Sequence, residues 1–198
     1  VSEHYYSKKP TAVNDLHKIE QELRGRKLTF QTDAGVFSKK GVDYGSRHLI
    51  ETMMIPPTAK VLDVGCGYGP IGLSAALLCP EGHVTMIDIN ERAVKLASDN
   101  ARINHIHNVT IVQSDLLENV KDQMFDVILT NPPIRAGKDT VHQIFIDSYN
   151  SLKPGGALWV VIQKKQGAPS AMAKLESLFD QVDEVSKDKG YRILRATK

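Results

Sequence analysis

The stretch TNPPIRAGK follows the apolar run FDVIL and places Asn131, Pro132 and Pro133 where they can grip an amine. Each proline fixes its own φ and drives the residue before it out of the helical region, so the exit from the run is rigid. The Asn131 side-chain oxygen and the Pro132 carbonyl then offer acceptors on a stiff frame, and an –NH2 group has two hydrogens to give them. An amine conjugated to a ring or a carbonyl is a poor nucleophile because its lone pair is delocalised. Acceptors that orient its hydrogens turn that lone pair toward an electrophile. The gain comes from positioning and fixed dipoles and needs no covalent nucleophile. A rigid loop without a ligand is the plain alternative, since double prolines are common in loops.

A second cluster lies earlier, in VLDVGCGYGPIG, with Gly65, Gly67, Gly69 and Gly72. Counted from Gly67 it reads G-x-G-x-x-G; counted from Asp63 it reads D-x-G-x-G-x-G. A dinucleotide fingerprint needs its first glycine in the turn directly after the strand. Here KVLDV ends at Val64 and the turn begins at Gly65, which favours the second phase. In that phase the loop backbone approaches a ligand closely, and the next helix aims its free N–H groups at it. Cys66, inside the loop, reads as a small wall of that site rather than a nucleophile. Asp63, Asp88 and Asp115 fall at the ends of three successive apolar runs. Asp63 suits a cationic group, Asp88 the two hydroxyls of a ribose, and Asp115 an exocyclic amino group, with Ile89 packed on a purine face. Three carboxylates repel phosphate, which argues against NAD, ATP and GTP and for a nucleoside without phosphate. No G-x-x-x-x-G-K-[ST] loop competes.

These residues need a sheet to hold them. Residues 60–64, 83–87, 109–113, 125–129 and 157–162 read as short apolar strands. They alternate with helices over about 70–79, 92–103, 140–151 and 169–179. That alternation predicts an open, mostly parallel α/β sheet with helices on both faces. Residues 182–185 and 191–196 are too close for a crossover helix, so they predict a terminal antiparallel hairpin. Upstream, residues 13–23 have modest helical propensity. LTFQTDAGVFS suits one or two short strands, around Leu28–Phe30 and Val36–Phe37. HLIETMM suits a short helix stopped by Pro56-Pro57. Residues 58–198 read as one domain and 1–57 as an N-terminal extension packed on it. Trp159 is expected in the core, and His105 and His107 on the surface without a metal.

The chain has 198 residues, 41% hydrophobic and 24% charged, enough for a core without metal or disulfide. Two cysteines are too few for a disulfide scaffold or a four-ligand zinc site. No apolar run approaches the roughly 18 residues of a membrane span, and VSEHYYSKKP lacks a signal-peptide core. A cytoplasmic protein, away from membranes, is expected. The formal charge of +2 is weak grounds for a polyanionic partner, although basic pairs recur, as at Lys39-Lys40 and Lys164-Lys165.

Taken together, DVGCGYG, Asp88, Asp115 and NPP resemble the class I S-adenosylmethionine-dependent methyltransferases. The resemblance implies a Rossmann-like seven-stranded sheet of order 3-2-1-4-5-7-6, and S-adenosyl-L-methionine as cofactor, leaving S-adenosyl-L-homocysteine. NPP resembles the [ND]-P-P motif of enzymes that methylate planar nitrogen. F-x-T-x-x-G-V-F-S at Phe30–Ser38, D-x-G at Asp43–Gly45, DINERAV and YRILRA extend the likeness to the RsmC-type guanine-N2 methyltransferases of small-subunit ribosomal RNA, in the single-domain form called the methyltransferase small domain. It implies N2 methylation of a guanine in 16S rRNA, with ribosomal RNA or the small subunit as partner and a monomer favoured. It implies Asn131 and Pro132 as catalytic residues. Phe37, Asp63, Gly65, Cys66, Gly67, Gly69, Asp88, Ile89, Asp115 and Asn131 would contact the cofactor, with residues 35–38 and 43–45 folded over it. Pro133, Ile134, Arg135 and Lys138 would meet the substrate. One departure stands out: Ile134 occupies the place where the family commonly has an aromatic that stacks on the flipped base. Stacking would then fall to Tyr68 or to an aromatic within residues 1–37, and Arg135 and Lys138 would pair with RNA phosphate.

Four rival readings differ in what they require. N5-methylation of a glutamine amide, as in release-factor methyltransferases, usually goes with an aromatic after NPP and a larger helical N-terminal domain. DNA adenine methylation needs a DNA-recognition domain for which little length is left. An RNA-binding module with a vestigial cofactor site has no use for intact glycines and acidic strand ends. A dehydrogenase gives NPP no task.

Overall fold

The computed structural model describes residues 7–9, 15–33 and 41–198. The chain opens on a hairpin of β1 (His17–Leu23) and β2 (Arg26–Thr32), paired antiparallel with Leu23 opposite Arg26. Modest helix was the expectation for residues 13–23, and His17–Leu23 instead forms a strand. Its inward positions are Ile19, Gln21 and Leu23, a period of two. Arg24 and Gly25 both take positive φ, 53° and 74°, the primed turn that suits strand twist. The strand expected around Leu28–Phe30 is β2; the one around Val36–Phe37 lies outside the described residues.

Helix α1 (Tyr44–Thr52) starts before the expected HLIETMM because Asp43 caps it, its carboxylate accepting from the Ser46 N–H at 3.0 Å. Met53 ends it, ahead of Pro56-Pro57. Then follow β3 (Lys60–Val64), α2 (Pro70–Leu78), β4 (His83–Asp88), α3 (Glu91–Ile103), β5 (Val109–Gln113), β6 (Phe125–Thr130), α4 (Lys138–Ser151), β7 (Leu152–Gln163), α5 (Ala168–Leu178), β8 (Gln181–Asp188) and β9 (Tyr191–Thr197). These bounds follow the expected elements closely; β7 and β8 run longer.

The large sheet has seven strands in the order β5-β4-β3-β6-β7-β9-β8. Numbering them from β3, this is 3-2-1-4-5-7-6. β5 through β7 are parallel, and β9 runs antiparallel to both β7 and β8. Helices cover both faces. One core, with Leu49, Leu73, Leu96 and Trp159, lies under α1, α2 and α3; the other, with Val141, Phe145, Ile162 and Leu175, lies under α4 and α5. β3 sits between β4 and β6, so connections leave it in opposite directions. A crevice opens at that switch, at the carboxyl ends of the strands.

The β1–β2 hairpin is tied to α3 by two asparagines. Asn100 Nδ2 donates to the Gln31 carbonyl while its Oδ1 accepts the Gln31 N–H, and Asn104 does the same for Thr29. The hairpin thus borders the helix whose start lies beside Asp88.

Candidate active site

Three segments converge on the carboxyl edge: the turn after β3, the end of β4, and the turn after β6. Gly65 has φ +73°, is exposed, and a Cβ built on it meets open space. Any side chain there would intrude on whatever lies over the loop. The Gly65 and Cys66 N–H groups donate to the Ile87 carbonyl and bind the loop to β4. Gly67 N–H donates to the Asp88 carboxylate at 2.9 Å, and Gly69 precedes α2, whose first turn is free of acidic side chains. Gly72 allows α2 to lie close: a Cβ there would stand 2.7 Å from Met86 and 2.8 Å from Asp63.

Asp63 is 0% exposed, and its carboxylate oxygens have no hydrogen-bond partner of good geometry among the described residues. Burial raises its pKa to about 7, the Gly72 N–H opposes part of that rise, and the Asp88 charge adds a smaller one. Asp63 therefore does not line the open crevice; it stands behind the loop, an unmet acceptor. Cys66 likewise lies beneath the loop, at 5% exposure, packed in the core. Burial, then the Asp88 and Asp63 charges, hold its thiol well above the ordinary range, so it stays neutral and is no nucleophile.

At the end of β4, the Asp88 carboxylate accepts from the Gly67 and Asn90 N–H groups, one on each oxygen. The carboxylate is buried, at 3% exposure. Ile89 is half-buried beside it, and Asp115 is exposed beyond β5. Gln113 Nε2 donates to the Ile89 carbonyl and, at 3.2 Å, to that of Lys8. The Lys8 carbonyl also accepts from the Glu91 N–H, so residues 7–9 run along this side of the crevice.

Across the switch, the alternation of β6 turns Val127, Leu129 and then Asn131 toward the α1 face. Asn131 Nδ2 donates to Ser46 Oγ at 3.1 Å and to Asp43 Oδ2 at 3.3 Å. A carboxylate only accepts, so the amide orientation is determined and Oδ1 turns away from α1. The Pro133 carbonyl, rather than that of Pro132, takes the Ala136 N–H of the following turn. Among the described residues, both expected acceptors thus escape the local hydrogen-bond ladder. Ile134 is half-buried, and Arg135 and Lys138 are exposed just beyond it.

Glycine loop, Asp88, Ile89 and the NPP turn are therefore gathered at one edge. Phe37 and residues 35–38 lie outside the described residues. Tyr68 cannot supply base stacking: it is 3% exposed and meets Phe30 edge-on at 5.6 Å. Its apolar ring found a core rather than the cleft. Sequence reading assigned Asp43 a place over the cofactor and missed its bond to Asn131, and it missed Ser46. The D-x-x-S capping pattern was visible, but nothing local to it points to residue 131.

Compared with known proteins, residues 27–195 match the family model described as Methyltransferase small domain. The chain is 56% identical to "Uncharacterized protein YbxB" of Bacillus subtilis, with both chains covered in full. It is 33% identical to Ribosomal RNA large subunit methyltransferase G of Colwellia psychrerythraea, over 86% of this chain but 45% of that one. Among solved structures it is similar to the T. thermophilus 16S rRNA N2 methyltransferase RsmC in complex with AdoMet and guanosine. The TM-score is 0.81 at 26% identity, over 92% of this chain and 50% of that one. The chain thus spans about half the length of these rRNA enzymes.

Proposed function

The chain belongs to the methyltransferase small domain family, and from that premise we propose that it methylates the exocyclic N2 amino group of a guanine in small-subunit (16S) ribosomal RNA, with S-adenosyl-L-methionine as donor. The similarity to an enzyme seen with AdoMet and guanosine supports this reading. The observation that carries it is the Asn131 amide, locked by Asp43 and Ser46 with Oδ1 turned from α1 beside the glycine loop.

The residues suit the cofactor. Open space over Gly65 accepts a nucleoside, Asp88 at the end of β4 would accept from ribose hydroxyls, and Ile89 offers an apolar face. Asp115, exposed at the next strand end, would accept from the adenine amine. Asp63, buried behind the loop, would act on the cofactor only through the loop that it packs against. Residues 1–57, of which 7–9 already border the crevice, would cover it, with Phe37 as an apolar wall. S-adenosyl-L-methionine, when bound, supplies an electrophilic methyl group.

The chain's own residues then act on the amine. Asn131 Oδ1 and the Pro132 carbonyl accept its two hydrogens and direct the nitrogen lone pair, which positions the reactants without a covalent nucleophile. The proline pair keeps these acceptors rigid, so no reorganisation is needed on binding. Pro133 and Ile134 cover the ring, and Arg135 and Lys138 pair with RNA phosphate. A guanine of the large-subunit RNA is the second reading, favoured by the 33% identity to a large-subunit enzyme.

The test is transfer of radioactive methyl to undermethylated ribosomal subunits and, in a parallel reaction, to release factor, followed by mapping of the labelled nucleotide. Label in a 16S guanine at N2 is expected; label only in 23S RNA selects the second reading, and label only in release factor overturns both. Asn131→Ala is expected to lose about 100-fold or more in kcat while calorimetry still shows S-adenosylhomocysteine binding. Wild-type turnover in that variant would end the assigned role.

A further inference from the structure

A cavity of about 180 Å3 lies between the start of α4, the start of α5 and the end of β7, immediately beyond the NPP turn. Its walls include Ile134, Val141, His142, Ile162 and Ser170, with Lys138 at its rim. Val141 and Ile162 belong to the core beneath α4 and α5, whereas Asn131 turns to the opposite face of the sheet, toward α1. The cavity therefore cannot hold the amine that Asn131 grips. A group that enters it belongs to another part of the substrate.

The chemistry of the walls says which part. They are mainly apolar, and the His142 ring lies nearly parallel to Phe145, at 27° and 6.2 Å, so a flat ring surface backs onto the core beside the cavity. Ser170 Oγ approaches His142 Nε2 at 3.4 Å, leaving hydrogen-bonding capacity in the wall. Burial lowers the His142 pKa, and the nearby Lys138 and Lys174 cations lower it further, against Asp139. The imidazole is thus neutral at pH 7, and a positive field surrounds it. Arg135, next in sequence to Ile134, is exposed as well. An apolar slot with Lys138 at its rim and Lys174 nearby complements a planar base carried on a phosphate backbone.

We propose that this α4–α5 cavity is a second base subsite, which takes an unpaired nucleobase flanking the methylated guanine in the same RNA. This rests on the RNA reading of the active site. It anchors the RNA beside the target, and it selects substrates whose target lies in an unpaired segment. Ile134 separates the two bases, with the target on its Asn131 side and the neighbour on its α4 side.

The experiment uses an RNA oligonucleotide that spans the nucleotide labelled by the wild-type enzyme, and copies with an abasic ribose at each position flanking the target. One abasic position is expected to raise KM about tenfold, within the range that stacking of one base contributes. Ser170→Trp, on α5, and His142→Trp, on α4, fill the cavity from its two helices. Each is expected to raise KM for the intact RNA by a similar factor, to abolish the response to that abasic position, and to keep S-adenosylhomocysteine affinity. The subsite is overturned if no flanking abasic position matters, or if the filled variants respond to the abasic position as the wild type does. Absence of any methyl transfer to RNA by the wild type is a different result, which sinks the RNA reading itself.

Discussion

Asn131 depends on two side chains far from it in sequence, Asp43 and Ser46, and the bond between Asp43 and Asn131 spans 88 positions. Without Asp43 the amide is free to flip and offer its NH2 group to the substrate. Asp43→Ala is expected to lower kcat about 10- to 100-fold with little change in S-adenosylhomocysteine affinity, because misplaced groups cost mostly in the transition state. The lost helix cap costs about 1 kcal/mol as well, visible as a small fall in Tm. Asp43→Asn can still accept from Ser46 and Asn131 and should recover most of kcat; a purely structural role would move Tm and kcat together in both variants. Asp63 predicts a pH effect. Its carboxyl titrates near 7 when folded against 3.8 in the ordinary state, chiefly through burial. The folded form holds the proton longer, so this group lowers stability as pH rises from about 4 to 7, with the penalty complete above 7. Asp63→Asn should flatten that fall in urea titrations and stabilise the apoprotein at pH 8 by on the order of 1–3 kcal/mol, once the cost of a poorly paired amide is deducted.

Among the elements, the parallel strands and their helices were legible from alternation of apolar runs and helical stretches alone. The glycine loop was legible because its first glycine follows directly on KVLDV, so strand end and turn are one local signal. β1 was not legible: its inward residues are Ile19, Gln21 and Leu23, and Gln21 breaks the apolar pattern. Partners elsewhere in the fold hold the hairpin, above all Asn100, which also donates to the Tyr68 carbonyl at 2.8 Å. Asn100→Ala removes bonds to β2 and to the glycine-loop backbone together. It should destabilise the protein by about 2–4 kcal/mol in urea titrations, and hydrogen exchange should show the greatest loss of protection in β2. Asn104→Ala, lower on the same helix and more exposed, should cost about 1 kcal/mol.

At the scale of the whole molecule, the charge of +2 hides how cations are distributed. Arg135 and Lys138 follow the NPP turn, so an RNA strand in the cleft would meet both. The double variant Arg135→Ala/Lys138→Ala should weaken RNA binding and reduce the slope of log K against log salt by about 1–2 units, with cofactor affinity unchanged. An unchanged slope in fluorescence titrations would remove these residues from the RNA contact. No helix among the described residues is long and apolar enough to cross a membrane. By itself, the sequence determined the sheet, its terminal hairpin, the glycine loop and the rigid NPP turn, because each rests on residues adjacent in the chain: backbone restriction by proline, close approach at glycine, and short apolar periods. Only the tertiary structure decided which way the Asn131 amide faces, that Asp63, Cys66 and Tyr68 lie behind the cleft rather than in it, and that a cavity opens beyond Ile134. Those outcomes depend on which face of the sheet each side chain takes and on which helix then packs there. Contacts between distant segments set both.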